Sequence, residues 1–149
     1  MGLSEDIQQK NFTSIHQKAA INIIYTNNWL SEKFRSFLAE ENLTNQQYNV
    51  LRILRGSQPE PLSTLKIRER MLDKMSDTSR IVDRLVIKKL VRKNTCETDK
   101  RLVDINITEE GLNILSKMDK KDSIDVHLKN LNPKEAETLS NLLDKVREI

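Results

Sequence analysis

The sequence contains few cysteine, histidine, glycine, proline and aromatic residues, and these shortages limit the kinds of site and fold that it can form. One cysteine excludes an intramolecular disulfide, and together with two histidines it offers no spacing typical of a zinc site. Three glycines and three prolines in 149 residues leave long stretches without a helix breaker, which favours a mainly helical fold. No run of about 18 apolar residues occurs, so no membrane-spanning helix is predicted.

Catalytic and cofactor sites also lack their residues. His16 and His127 lie far apart on predicted helices, and no glycine-rich phosphate loop is present. We therefore predict no enzyme, no cofactor and no metal site. Cys96 is interpreted as an ordinary strand residue, with a redox sensor as the alternative. Residues 1–10 lack the apolar run of a signal peptide, so a cytoplasmic location is expected.

Charge is distributed unevenly along the chain. The formal net charge is +3, but residues 62–107 hold 12 Lys and Arg against 7 Asp and Glu, a surplus of five. A local basic surplus is typical of a surface that binds phosphate groups. The alternative is chance unevenness in a charge-rich helical protein.

The first third of the chain is predicted to be helical. Residues 5–41 contain no glycine or proline and carry apolar residues at helical spacing, which indicates one long helix with at most one break. Its apolar stripe is predicted to meet a partner chain, with the chain's own C-terminal helices as the alternative. Thr44 and Gln47 form a capping box that starts the next helix, and Gly56 is predicted to end it.

Two shorter helices are predicted in the middle of the chain. Ser63 opens the first, and Leu72–Asp73 forms the turn. The second starts at Asp73 or Ser76 and runs to about Leu90. The predicted buried residues are Leu65, Ile67 and Met71 in the first helix, and Met75, Thr78, Ile81, Val82, Leu85 and Lys89 in the second.

After Leu90 the spacing of apolar residues changes from the helical period to alternation, which predicts strands. Residues 91–96 form one strand and residues 103–107 the other, joined by the polar loop 97–101. A β-hairpin directly after a helix-turn-helix is a wing. The fold class is therefore mainly α with a small β-hairpin wing, a winged helix-turn-helix between helical ends.

The last third of the chain returns to helix. Thr108 caps a helix predicted to reach about Asn130, and Asn132 with Glu135 starts another. The predicted apolar face of this last helix consists of Leu139, Leu142, Leu143 and Val146.

Three stretches, in this order, resemble the MarR family of bacterial regulators. Residues 79–91 (SRIVDRLVIKKLV) are similar to the end of its recognition helix. Residues 98–101 (TDKR) are similar to its wing tip, and residues 107–112 (ITEEGL) to the start of the helix after the wing. Lys89 replaces the usual glycine, and Lys100 replaces an arginine, which loses the planar fork of the guanidinium.

The resemblance implies a homodimeric transcriptional regulator, with a ligand-responsive repressor as the expected form. It implies an N-terminal dimerisation helix in residues 1–42, a DNA-binding region in residues 43–107 and C-terminal dimerisation helices in residues 108–149, in one compact domain overall. It also implies a small-molecule effector. The residues predicted to line the effector pocket are Tyr25, Trp29, Phe34 and Tyr48, for which core packing is the alternative.

A recognition helix in the major groove meets base edges with its N-terminal residues. Arg80 is predicted to contact a guanine, with a phosphate contact as the alternative. Arg84 is predicted to contact phosphate or to pair with Asp83 or Asp99. Asp77 either accepts a hydrogen bond from a cytosine or caps its helix. The predicted DNA-binding residues are Ser63, Thr64, Lys74, Ser76, Asp77, Ser79, Arg80, Arg84, Arg92, Lys93, Lys100 and Arg101.

A two-fold dimer would place two recognition helices about 34–36 Å apart, which predicts a palindromic operator on double-stranded DNA. The alternative function is a winged-helix module that binds a partner protein instead of DNA. Asp77 and Asp83 on the predicted recognition helix favour that alternative, whereas the basic surplus opposes it.

Overall fold

The computed structural model describes residues 2–95, 97–99, 102–121 and 123–148. Its contacts group the chain into a larger unit that ends at Leu115 and a smaller unit that begins at Ser116. The mainly helical class with one antiparallel hairpin is confirmed. The elements are α1 (Leu3–Asp6), α2 (Ile15–Ala39), α3 (Asn45–Ser57), α4 (Thr64–Arg70), α5 (Thr78–Ile87), β1 (Val91–Thr95), β2 (Val103–Ile107), α6 (Glu109–Asp119), a 3-10 helix (Ile124–Leu128) and α7 (Pro133–Val146).

The long N-terminal helix has one break, between α1 and α2. Helix α2 begins where the side chain of Ser14 accepts a hydrogen bond from the amide of Gln17. Leu38 is the buried residue of this 25-residue helix. Much of the apolar surface of α2 is therefore exposed in the single chain. Its exposed large apolar side chains are Ile15, Ile23, Ile24, Tyr25 and Trp29.

Helix α3 starts as predicted and ends differently. The capping box of Thr44 and Gln47 is present in both directions. Gly56 does not end the helix, which continues through Ser57. The chain turns at Gln58, whose ψ of 143° is the extended conformation usual before a proline, here Pro59.

Helix α3 lies at the centre of the larger unit and packs against α2, α4, α5 and β2. The prediction that Leu65 is buried is wrong, because it is 63% exposed whereas Ile67 is fully buried. Residues two apart on a helix point to opposite sides, so burial of Ile67 turns Leu65 outward. The fully buried side chains of this core include Leu38, Val50, Leu51, Leu54, Ile67, Met71, Val82, Leu85 and Ile105.

Helix α5 begins later than predicted. Its N-cap is Asp77 and not Asp73 or Ser76. Met75 therefore precedes the helix and is 93% exposed, so its predicted burial is wrong. Ser76, one of the predicted DNA-binding residues, is buried. The rest of the predicted inner stripe is confirmed for Thr78, Ile81, Val82 and Leu85, which are all buried.

The end of α5 is a Schellman motif. The amide of Leu90 donates to the carbonyl of Leu85 at 3.0 Å, and the amide of Lys89 donates to the carbonyl of Val86 at 2.9 Å. Lys89 adopts a left-handed φ of 62°. The helix therefore ends at Ile87 instead of Leu90. The predicted burial of Lys89 is wrong, because the left-handed residue turns its side chain into solvent.

Replacing Lys89 with glycine is expected to stabilise the protein by about 1 kcal/mol. A residue with a Cβ in the left-handed region costs roughly 1–2 kcal/mol, and glycine recovers this less its own chain entropy. Urea unfolding of the two proteins at equal concentration measures the difference. Lys66→Gly is the matched control, because Lys66 is exposed inside the right-handed helix α4 and its replacement should destabilise. A stabilising effect of both substitutions would contradict the explanation.

The hairpin pairs Val91 with Ile107 and Thr95 with Val103. Cys96, the predicted end of the first strand, lies outside the described residues. Leu62 forms an isolated bridge to β2. Its amide donates to the Ile105 carbonyl at 3.0 Å, and its carbonyl accepts from the Ile105 amide at 2.9 Å. The base of the wing is thus held by the segment that leads into α4.

The C-terminal helices are capped largely as predicted. The Thr108 hydroxyl accepts from the Gly111 amide at 3.2 Å and donates to the Lys89 carbonyl at 2.8 Å. Helix α6 ends at Asp119 and not at Asn130, because a polar run follows and Ser123 begins the 3-10 helix. Helix α7 has the predicted capping box. No helix among the described residues is long and apolar enough to cross a bilayer.

Candidate nucleic-acid interface

The first turn of α5 presents a charged and polar surface to solvent. The Asp77 carboxylate accepts a hydrogen bond from the Arg80 amide at 3.2 Å, so it caps the helix. Its other oxygen lies 4.0 Å from Arg80 Nε. The Arg80 side chain is 71% exposed, and Ser79 is exposed beside it. The guanidinium is therefore available to a ligand at the N-terminal end of the helix.

The turn before α5 is tied to α3 by side-chain hydrogen bonds. Asp73 accepts from the Met75 amide at 2.9 Å and from the Gln46 side chain at 3.1 Å. The side-chain oxygen of Asn49 accepts from the Leu72 amide at 2.9 Å. Since both ends of the turn are held, the position of the first turn of α5 depends on α3.

Two predicted DNA-binding residues of this turn are used within the protein. The Ser76 hydroxyl donates to the Asp73 carbonyl at 2.8 Å and its side chain is buried. The Lys74 ammonium donates to the carbonyl of Glu69, in the last turn of α4. A cation at that position satisfies a helix C-terminus. Lys74 therefore joins the two helices of the motif.

An ion pair joins the exposed face of α5 to the wing. Lys93 Nζ lies 3.0 Å from Asp83 Oδ1, and the two side chains are 31% and 57% exposed. Asp83 is thus paired with the wing and not with Arg84. Within the part of the chain that the structure describes, Arg84 has no ion-pair partner. Its exposed guanidinium can therefore meet a phosphate without first losing a carboxylate.

The two basic residues of β1 lie on opposite faces of the hairpin. Lys93 is opposite Ile105, which is fully buried, and Arg92 is opposite Asn106 on the other face. This follows from the alternation of side chains along a strand. Lys100 and Arg101, the predicted wing-tip contacts, lie outside the described residues.

One of the two hydroxyl groups at the start of α4 already accepts a hydrogen bond within the protein. The Ser63 side chain accepts from the Lys66 amide at 3.2 Å as the N-cap of the helix. Ser63 and Thr64 are both half-buried. The Ser63 hydroxyl keeps its proton for donation to a phosphate, as the prediction requires.

Lys88 is a positioning residue that sequence reasoning missed. Its ammonium donates to the Asn42 carbonyl and lies 3.2 Å from the side-chain oxygen of Gln47, which is buried. It thereby fixes the C-terminal end of α5 to the turn between α2 and α3. Asn42 and Lys88 are 46 positions apart, so no local spacing in the sequence signals the contact.

Two of the four predicted effector-pocket residues come together. Phe34 and Tyr48 meet edge to face with ring centroids 5.5 Å apart, and Phe37, which was not predicted, stacks on Phe34 at 5.9 Å. Tyr48 is buried. Tyr25 and Trp29, on α2, are each 38% exposed. These aromatic contacts account for Phe34 and Tyr48 as packing residues.

The arrangement is suited to binding an extended anion. Exposed arginines lie on α5 and on the wing. The neighbouring carboxylates have partners within the protein, since Asp77 caps α5 and Asp83 is paired with Lys93. Among the described ranges, no group of three or more His, Cys, Asp or Glu residues could hold a metal ion. The exposed guanidinium groups can bind phosphate groups and base edges.

Comparison with protein families gives one match. Residues 43–103 match the model of the MarR family, a range that runs from α3 to the beginning of β2. None of the curated proteins matches the chain.

Solved structures of similar fold come from several bacteria. A mutant MarR from E. coli, complexed with operator DNA, is 25% identical with a TM-score of 0.72 and coverage of 99% of this chain and 100% of that chain. A MarR transcription factor from Planctomyces limnophilus is 28% identical with a TM-score of 0.67, covering 91% and 98%. A MarR-like regulator from Bacillus cereus is 19% identical with a TM-score of 0.76, covering 89% and 95%. Residues 43–103 therefore form a MarR family domain, and the chain has the winged helix-turn-helix fold of the MarR regulators that it resembles.

Proposed function

We propose that this protein binds a palindromic operator in double-stranded DNA as a homodimer and represses transcription until a small molecule binds. The observation that carries the proposal is the first turn of α5, where Arg80 projects from a capped helix start into solvent. Bidentate donation to guanine O6 and N7 suits an arginine in this position. Arg84, one turn later, would contact the phosphate backbone.

The charges of the recognition helix favour DNA over a protein partner. Asp77 and Asp83 are the two acidic residues that favoured a protein-interaction module. Asp77 caps its own helix and Asp83 is neutralised by Lys93. With both carboxylates compensated, the surface that remains is basic and suits a polyanion.

The E. coli MarR that this chain resembles over 99% of its length was crystallised with operator DNA. We carry that partner over to this chain as part of the proposal. The DNA-contacting set then consists of the predicted residues that do not brace the turn before α5 or cap that helix, together with the wing tip. It consists of Ser63, Thr64, Ser79, Arg80, Arg84, Arg92, Lys93, Lys100 and Arg101, with Lys74, Ser76 and Asp77 in positioning roles.

Exposed apolar residues at both ends of the chain support the homodimer. Ile15 and Ile24 on α2 are 73% and 61% exposed, and Leu142 and Val146 on α7 are 56% and 68% exposed. Burying such residues against a second copy would remove apolar area from water. Residues 1–42 and 108–149 would thus form the dimerisation helices that flank the DNA-binding region of residues 43–107.

A small-molecule effector is proposed to bind beside α2, where Tyr25 and Trp29 are partly exposed. Phe34 and Tyr48 would form the inner wall of that site, since they already pack together. A ligand there would act by favouring one spacing of the two recognition helices over another.

The proposal is tested by capture of sheared genomic DNA on the purified protein at two salt concentrations, followed by sequencing. Enrichment of a palindrome that persists at the higher salt concentration is expected. Sedimentation of the protein on a fragment with that palindrome should show two chains per site. Binding without sequence preference that disappears at the higher salt concentration would contradict the proposal.

Replacing Asp83 with asparagine is expected to strengthen binding to non-specific DNA. The substitution removes a negative charge and releases the Lys93 ammonium, which can then neutralise one phosphate. The slope of log K against log salt should steepen by about 0.9 for each phosphate so gained. Fluorescence anisotropy over a salt series measures it.

Asp144→Asn is the matched control, since it breaks an exposed ion pair with Arg147 on α7, outside the winged helix. Its slope should equal that of the unmodified protein. An unchanged slope for the Asp83 variant as well would show that Lys93 gains no phosphate contact when its ion pair is removed.

A further inference from the structure

Two large apolar side chains lie almost fully exposed in the turn between α4 and α5. Leu72 is 89% exposed and Met75 is 93% exposed, although the turn is bounded by buried Met71 and buried Ser76. Among residues 2–95, 97–99, 102–121 and 123–148, no packing contact buries either side chain. Their exposure keeps apolar surface in water, which is unfavourable unless a ligand covers it.

The backbone that carries Met75 is held firmly. Its amide donates to the Asp73 carboxylate at 2.9 Å, and that carboxylate also accepts from Gln46 of α3 at 3.1 Å. The next residue, Ser76, donates its hydroxyl to the Asp73 carbonyl at 2.8 Å. A side chain on a braced turn loses little backbone freedom on binding, which favours a specific contact.

Met75 lies directly beside the charged surface described above. It precedes the N-cap Asp77 by two residues, and Arg80 follows in the first turn of the helix. A recognition helix inserts this end into the major groove. An apolar side chain at that end therefore approaches the base edges together with Arg80.

Only one apolar group is presented on the base edges of the major groove, the C5 methyl of thymine. We propose that Met75 determines sequence specificity by packing against that methyl group, an inference that rests on the proposed DNA-binding function. The unbranched thioether suits such a contact because it adapts to the shape of a small apolar group. The exposed Arg80 guanidinium in the first turn of α5 makes DNA the occupant and argues against an apolar protein surface.

The test replaces thymine by uracil, which removes only the C5 methyl, at each thymine of the operator half-site in turn. The unmodified protein should lose about fourfold in affinity at one position, as expected for one methyl-sized group returned to water. Met75→Ala should lose about the same factor on the thymine operator and show no further loss with uracil at that position. Met75→Gln, which keeps the length of the side chain, should behave like Met75→Ala.

Ile87→Ala is the matched control, because Ile87 is 79% exposed at the opposite end of α5. It should keep the full response to uracil. Specific binding in which Met75→Ala and the unmodified protein respond equally to uracil would overturn the inference and leave the proposed function intact. Absence of any sequence-specific binding by the unmodified protein would overturn both.

Discussion

Replacing Gly111 with alanine is expected to destabilise the protein by about 3 kcal/mol. A Cβ at this position would lie 2.5 Å from the Leu90 carbonyl oxygen and 2.7 Å from Ile107 Cγ1. The Leu90 carbonyl cannot move freely, because it accepts from the Thr108 amide at 3.0 Å. The clash therefore forces α6 away from the end of the recognition helix and the base of the wing.

Thermal unfolding at equal protein concentration measures the effect. A loss of that size should lower the midpoint by about 6–12 °C in a chain of this length. Gly56→Ala is the matched control, because nothing lies within 4 Å of its Cβ position on α3. It should stabilise by about 0.5–1 kcal/mol, the ordinary gain of alanine over glycine in a helix. Equal effects of the two substitutions would contradict the close approach.

Replacing Arg80 with alanine is expected to weaken binding to the operator by about 1–3 kcal/mol in each half-site, or roughly 5- to 150-fold. The reason is the loss of two parallel hydrogen bonds from the guanidinium to one guanine. Folding should be unaffected, because the side chain is 71% exposed and the helix cap is formed by the backbone amide of this residue. Titration of the operator and of an unrelated duplex at one salt concentration measures the loss.

Arg80→Lys separates the two possible roles of this residue. It keeps the charge and loses the fork, so a base contact predicts a loss close to that of alanine. A phosphate contact predicts that lysine restores most of the affinity. Arg147→Ala on α7 is the charge control and should leave operator binding unchanged. If the ratio of operator to non-specific affinity stayed the same in Arg80→Ala, base reading by Arg80 would be refuted.

Local signals in the sequence predicted the helix starts well. The capping boxes at Thr44 and Asn132 and the N-cap at Ser63 are all present, because each depends on residues within one turn of the chain. The two strands were likewise predicted from alternation, with β2 confirmed at Val103–Ile107. The MarR resemblance rested on these same stretches, and the family match over residues 43–103 confirms it.

The helix ends and the turn before α5 were predicted less well. The sequence offered Asp73 or Ser76 as the N-cap, whereas the structure has Asp77, after a turn that Gln46 and Asn49 of α3 hold. The end of α5 depends on a lysine in the left-handed region, where propensity favours glycine. Contacts with distant residues decided the start of α5, and they leave no periodic signal. At its end, the local signal was missing because a lysine occupies the left-handed position.

The sequence by itself determined the order of elements, the basic surplus of the middle third and the resemblance of residues 43–103 to the MarR family, because periodicity, caps and composition act over a few residues. The tertiary structure decided which charges are free. Asp83 is neutralised by Lys93 of the wing, Lys74 and Lys88 are bound to backbone carbonyls, and Arg84 is left to solvent. It also decided that Met75 is exposed and Ser76 buried. The physical reason is that a side chain's partners depend on which elements the fold brings within a few ångströms, and these partners decide which charged side chains stay exposed on the recognition surface.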